Sequence, residues 1–295
     1  MAVTIRQIHP VFVGEVEGVD LRRPLSAEEA AAIDAGMDRY AVLVFHGQDI
    51  TDEQQIAFSS NFGELEQPGK QSNITKDDQR RLGALMADIS NLDKDSRLFA
   101  RDDRRRMFNL GNLLWHSDSS YRAVPAKYSL LSARRIPSAG GNTELADMRA
   151  AYDALDDRTK AEVENLVCEH SLIYSRGQLG FTELSEEEKA NFKPVRQSLV
   201  RVHPVTGRKS LFLSSHIGTI VGWPVPEARA FIRDLIEHAT QREFVYSHKW
   251  RPHDLVIWDN RQTMHRARRY DDTREVRDMR RTTVRGEAMT AQQAA

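Results

Sequence analysis

Two residues of the stretch "WHSDSSY", His116 and Asp118, are separated only by Ser117. In an extended segment successive side chains alternate between faces, so residues i and i+2 share one. An imidazole and a carboxylate then stand side by side and supply two corners of a metal site. A third ligand, usually a distant histidine, completes the 2-His-1-carboxylate set, which leaves positions open on Fe(II) for a chelating cosubstrate and O₂. A structural hydrogen-bonded pair is the alternative reading of the same two residues. His265, in "WDNRQTMHRARRY", is the best third ligand, because it follows the turn-forming Asp259-Asn260 and opens a strand near the C-terminus.

Downstream of His265 come Arg277, Arg280 and Arg281. A guanidinium is a planar fork that grips carboxylates in bidentate fashion. Iron at one end and a guanidinium at the other suit a dicarboxylate that chelates the metal and is clamped behind it. That description fits 2-oxoglutarate. A basic surface strand would explain the arginines equally well without the metal motif. At four residues apart on a strand, Arg277 and Arg281 fall on one face.

The elements that must position these residues are short. "YAVLVFHGQ" reads as a buried strand, with helices expected over 25–38 and 51–63, capped by Ser26 and Thr51. "AKYSLLSARRIP" reads as a strand and "SAGGNT" as a tight turn. "DMRAAYDAL" and "DDRTKAEVENLVCEH" read as two helices, and "LVRVHPVTGRKSLFLSS" as a hairpin. "PEARAFIRDLIEHATQ" has apolar residues at helical spacing, and the chain closes on "FVYSHKW", "DLVIWDN", "TMHRARRY" and "MRRTTVRG", four short strands. The pattern is mainly β with surrounding helices, as in a sandwich or barrel. From about Glu64 to Arg106 it dissolves into a long polar stretch, read as a lid-like insertion with solvated charge runs in an otherwise single domain over 1–295.

Bulk properties narrow the partners. The 42 basic and 43 acidic residues nearly cancel, which gives no net pull toward nucleic acid or a membrane surface. Cys168 is the only cysteine, no run of 18 apolar residues occurs, and "MAVTIRQIHP" lacks the apolar stretch of a secretion signal, so a cytoplasmic protein is expected.

"WHSDSSY", "GGNTELADMRAAYDAL", "HPVTGRKSLFLSSH", "LIEHATQREFVYSHKW", "LVIWDNRQTMHRARRYD" and "RDMRRTTV" together resemble the taurine dioxygenase family of Fe(II)/2-oxoglutarate-dependent dioxygenases. Within it they resemble the branch acting on 2,4-dichlorophenoxyacetate and other aryloxyalkanoates. The resemblance runs from about Ile5 to Thr283. It implies a double-stranded β-helix, or jelly roll, with His116, Asp118 and His265 on Fe(II). Thr143 and Arg277 would hold the distal carboxylate of the 2-oxoglutarate cosubstrate, and Arg281 the acid group of the substrate. Asn112 and His216 would touch the substrate, although a loop cap and an ordinary hairpin histidine are the plain alternatives. Lys70 and Lys94 could reach a substrate carboxylate, but solvated lysines are the better reading.

The implied reaction consumes O₂ and 2-oxoglutarate, releases succinate and CO₂, and hydroxylates the carbon between the ether oxygen and the carboxylate of a small carboxylic acid. The product would collapse to a phenol and glyoxylate. A taurine, alkylsulfonate or alkyl sulfate dioxygenase is the alternative within the family. From other classes come a non-catalytic jelly-roll binding protein and a zinc hydrolase on the same three ligands, for which a Thr143–Arg277 clamp would have no use. The resemblance also implies a homo-oligomer.

Overall fold

The computed structural model describes residues 2–69 and 71–294. Its largest sheet has seven strands, in the spatial order Thr4–Gln7, Gly14–Glu17, Val42–Phe45, Leu255–Asp259, Ala126–Arg135, Asp278–Arg285 and Ala87–Asp88. All neighbours are antiparallel except Gly14–Glu17 and Val42–Phe45, which run parallel.

The two central strands, VLVF and LVIWD, are apolar almost throughout because both faces of the sheet are covered. Leu43, Phe45, Leu130, Leu255 and Ile257 pack on one side against Ile33, Met37 and Tyr40 of the helix Ala27–Tyr40 and against Phe58 and Phe62. Val42, Val44, Leu131, Val256 and Trp258 point the other way and meet Leu145 and Trp250 of a second layer.

That second layer includes a three-stranded antiparallel sheet in which Thr143–Asp147 lies between Val245–His248 and Thr263–Ala267. Beyond it, Val167–His170 pairs with Val195–Ser198 and Ile217–Ile220, and Val200–Val202 pairs with Lys209–Leu211 as the expected hairpin. The helix Val225–Ala239 packs Ala228, Ile232 and Leu235 onto a core that also holds Ala146 and Met264. The architecture is therefore sheet-rich with helices outside. No helix among the described residues is long and apolar enough to cross a membrane.

Three expectations need correction. "DDRTKAEVENLVCEH" is not one helix: Asp157–Val163 is helical, but Val167–His170 is a strand in which Cys168 and His170 alternate inward. Pairing on both edges of that strand overrides the helical spacing of the run before it. His116 and Asp118 do not lie on a regular strand either. His116 makes an isolated bridge to His265, and Asp118 already begins a turn that passes through Ser119 at φ 54°.

Nor is the 64–106 stretch simply a solvated loop. Ala87–Asp88 adds to the edge of the large sheet, and Arg81, only 9% exposed, bonds Asp88 at 2.8 Å and Asp278 at 2.6 Å. Asn91 donates to the carbonyls of Asp272 (2.8 Å) and Glu275 (2.7 Å) and accepts from the backbone N–H of Arg277. Buried charge satisfied by specific partners, which composition does not reveal, anchors this segment.

Candidate metal centre and its two cavities

His116 and His265 face each other as a hydrogen-bonded antiparallel pair. The His116 N–H donates to the His265 carbonyl at 2.9 Å and the His265 N–H to the His116 carbonyl at 2.8 Å. The two rings lie 4.2 Å apart, centroid to centroid. Ser117 points away and donates to the carbonyls of Thr263 (2.9 Å) and Leu213 (3.3 Å), so the i, i+2 rule holds locally although the strand does not. The His116 Nε2 stands 3.9 Å from Asp118 Oδ1, and the His265 Nε2 3.6 Å from Asp118 Oδ2. One ligand atom from each residue lies within 4.8 Å of the others, and all three residues are buried.

Neighbours orient the ligands, as in established metal sites. His116 Nδ1 donates to the Leu114 carbonyl (2.7 Å), which turns the Nε2 lone pair toward the centre. Asp118 accepts from Ser129 Oγ at 2.7 Å and from Arg281 Nη1 at 2.5 Å, and its own N–H donates to Asn260 Oδ1. Trp258 Nε1 donates to that same Asn260 oxygen. Burial alone would raise the Asp118 carboxyl, but the Arg281 guanidinium, helped by the Ser129 hydroxyl, holds it well below the usual carboxylate range. Burial pushes both histidines down, so they are neutral, the form that binds a metal. A buried, ionised carboxylate with two neutral imidazoles fits Fe(II). Ligands at cis positions of an octahedral ion are about 3 Å apart, so only a small inward adjustment is needed.

Two cavities meet at this centre. The inner one is lined by Thr143, Trp258, His265 and Arg277. Arg277 lies just ahead of its strand, is 4% exposed, and donates through Nε to the Gly141 carbonyl at 3.3 Å. Burial lowers its pKa to about 10. Gly141, at φ 68°, is required here, because a Cβ would press on Pro137 at 3.0 Å and on Arg277 Nε at 3.4 Å. Thr143 Oγ1 accepts from the Trp250 indole N–H at 3.0 Å. The outer cavity is lined by Tyr121, His216, Phe99, Phe108 and Arg176, among others. Asn112, His116 and Arg281 border both.

All eight residues singled out from the sequence thus converge on one region: His116, Asp118 and His265 at the centre, Thr143 and Arg277 inside, His216 outside, and Asn112 and Arg281 between. Arg280 points elsewhere, to Asp52 at 2.6 Å. Lys94 is exposed, and Lys70 lies outside the described residues. Reading the sequence missed Ser129, Asn260, Asn91, Trp250 and Arg176. Single residues scattered over a strand, loops and a short helix carry no spacing signal, and only the fold brings them together.

The model of the family described as "Taurine catabolism dioxygenase TauD, TfdA family" matches residues 4–283. The chain belongs to this family. Membership makes it a dioxygenase, hence an oxidoreductase. It is 46% identical to an alpha-ketoglutarate-dependent 2,4-dichlorophenoxyacetate dioxygenase of Cupriavidus pinatubonensis, over 98% of this chain and all of that one. It is 39% identical to a (S)-phenoxypropionate/alpha-ketoglutarate-dioxygenase of Sphingobium herbicidovorans, over 93% and 92% of the two chains. Among solved structures it is similar to AAD-2 in complex with Mn(II) and N-oxalylglycine, with a TM-score of 0.96 and 62% identity over 99% of this chain and 100% of that one.

Proposed function

We propose that this enzyme is an Fe(II)/2-oxoglutarate-dependent dioxygenase that hydroxylates the carbon next to the ether oxygen of an aryloxyalkanoate such as 2,4-dichlorophenoxyacetate. The observation that carries the reading is Arg277. A guanidinium buried without a carboxylate is expensive, and here it lines a cavity that His116, His265 and Arg281 also line. 2-Oxoglutarate would lie in that cavity, with its distal carboxylate on Arg277 and the Thr143 hydroxyl. The Trp250 N–H can only donate, so it occupies an acceptor position of Thr143 and leaves the threonine O–H free to donate inward. The sheets facing each other across Trp258, Leu145 and Trp250 support a jelly roll with the centre between them.

Bound Fe(II) and 2-oxoglutarate supply the oxidising power, with one atom of O₂ entering succinate and the other the substrate. The protein's own residues choose the carbon. Arg281 reaches the substrate acid from the junction of the cavities, Asn112 and His216 bound the space beside it, and Phe99, Phe108 and Tyr121 line the cavity that would take the ring. Hydroxylation next to the ether oxygen gives a hemiacetal, which breaks its C–O bond to release a phenol and glyoxylate. The family relationship also favours a small carboxylic acid as substrate, in a cytoplasmic homo-oligomer.

Incubation with Fe(II), 2-oxoglutarate, ascorbate and 2,4-dichlorophenoxyacetate in air should yield phenol and succinate in equal amounts. Release of sulfite from taurine or another alkylsulfonate, or of sulfate from an alkyl sulfate, with no phenol would replace this substrate class with the other.

A further inference from the structure

Four arginines are buried among the described residues, and they divide evenly. Arg149 pairs with Asp147 and Arg261 with Asp259, each at 2.8 Å. Arg277 and Arg176 have no such partner, and the only ionisable group offsetting burial is a tyrosine in each case, Tyr270 and Tyr121. Arg277 lines the inner cavity. Arg176, 5% exposed, lines the outer one.

We propose that Arg176 is a second anion receptor, which binds the carboxylate of the incoming aryloxyalkanoate together with Arg281 and makes the outer cavity select acids over neutral aryl ethers. This rests on the function proposed above. The guanidinium lies 4.3 Å from the centroid of the Phe108 ring, and on another side it is so close to Gly111 that a Cβ there would come within 2.5 Å of Cζ. With Phe108 and Gly111 against it, hydrogen bonds are left to its edges. Nη1 donates to Ser175 Oγ at 3.1 Å, and Nε is buried with no partner. Ser175 Oγ is in turn 2.9 Å from His216 Nδ1, and His216 stands edge-on to Tyr121, so the guanidinium joins the residues that bound the substrate space.

A purely structural role fits poorly, since an unbranched apolar side chain would fill the slot beside Phe108 without burying an uncompensated charge. Arg281 shares its charge with Asp118, which engages Nη1, while its Nε is buried with no partner, so it can take part of the substrate carboxylate and leave the rest to Arg176. Among the described residues that line the outer cavity, Arg176 is the buried arginine without a carboxylate partner, and a monoanionic substrate is the group that would complete it.

The test uses intact protein loaded with Mn(II) and N-oxalylglycine, so that binding is read without turnover. Calorimetry with 2,4-dichlorophenoxyacetate and with the matching alcohol, 2-(2,4-dichlorophenoxy)ethanol, should show a preference for the acid. In Arg176→Met the acid should weaken by about 10- to 100-fold. The alcohol and N-oxalylglycine should bind as before, and the melting temperature should hold or rise. Arg176→Lys, which keeps the charge but not the fork, should recover part of the preference. Acid binding within about twofold of wild type in Arg176→Met overturns the proposal, as does a parallel loss of N-oxalylglycine binding and thermal stability. Phenol release by the wild type keeps the two claims apart: if it occurs while Arg176→Met binds acid normally, only the receptor assignment falls.

Discussion

Replacing Arg277 by methionine should have opposite effects on two quantities that usually move together. In the protein without cosubstrate, burial lowers this guanidinium from 12.5 to about 10, and no carboxylate offsets it. At neutral pH that depression corresponds to about 3 kcal/mol of lost stability. Met removes the penalty and keeps most of the apolar stem, while the Nε bond to Gly141 O, worth about 1 kcal/mol, is lost. The metal-free variant should therefore be as stable as wild type, or more stable by about 1–2 kcal/mol. With 2-oxoglutarate bound, the balance reverses. The distal carboxylate would then lie buried without its cation, a loss of about 3–5 kcal/mol, which is roughly 10²- to 4 × 10³-fold in affinity. Denaturant titration of the apo protein and calorimetry of N-oxalylglycine binding to the Mn(II)-loaded form measure the two effects. A variant destabilised by more than about 2 kcal/mol before any ligand is added would mean that Arg277 is a structural residue, and the reading of the inner cavity would be lost.

Other expectations follow from the same geometry. Because burial depresses both metal-binding imidazoles below 6.5, the midpoint of any acid loss of Mn(II) affinity should lie below pH 6.5; a loss centred on or above pH 6.5 would contradict this. Gly141→Ala forces a Cβ into positive φ beside Arg277 and should weaken N-oxalylglycine binding several-fold while leaving Mn(II) affinity intact. Trp250→Phe removes the indole N–H from Thr143, and about 1 kcal/mol should be lost from N-oxalylglycine binding, an effect that should vanish in a Thr143→Val background.

The three metal ligands could be read from the sequence because their chemistry is concentrated: His-x-Asp needs only local alternation, and the late histidine follows a turn signal. Arg277, Arg280 and Arg281 could be picked out as candidate carboxylate grips, but Thr143 and the separate roles of Arg277 and Arg281 came only from resemblance, since a threonine beside two glycines and arginines near a C-terminus mean little alone. Arg176 was invisible, because "YSRGQ" does not reveal that Phe108 and Gly111, more than 60 residues earlier, enclose its guanidinium. The strand at Val167–His170 was hidden by a helical run leading into it, and its pairing partners are not adjacent in sequence. The anchoring of 64–106 rests on Arg81 and Asn91, which look like any other polar loop residues until Asp278 and the Arg277 backbone come beside them.

The paired main-chain bonds between His116 and His265 link ion capture to correct threading of the chain. A slip of one residue along Thr263–Ala267 would bring Met264 or Arg266 opposite His116 and turn the imidazole away. A misthreaded molecule would lack the third ligand whatever else it had formed. Metal content after refolding should thus report register fidelity, and iron uptake would favour the correctly aligned population over its competitors.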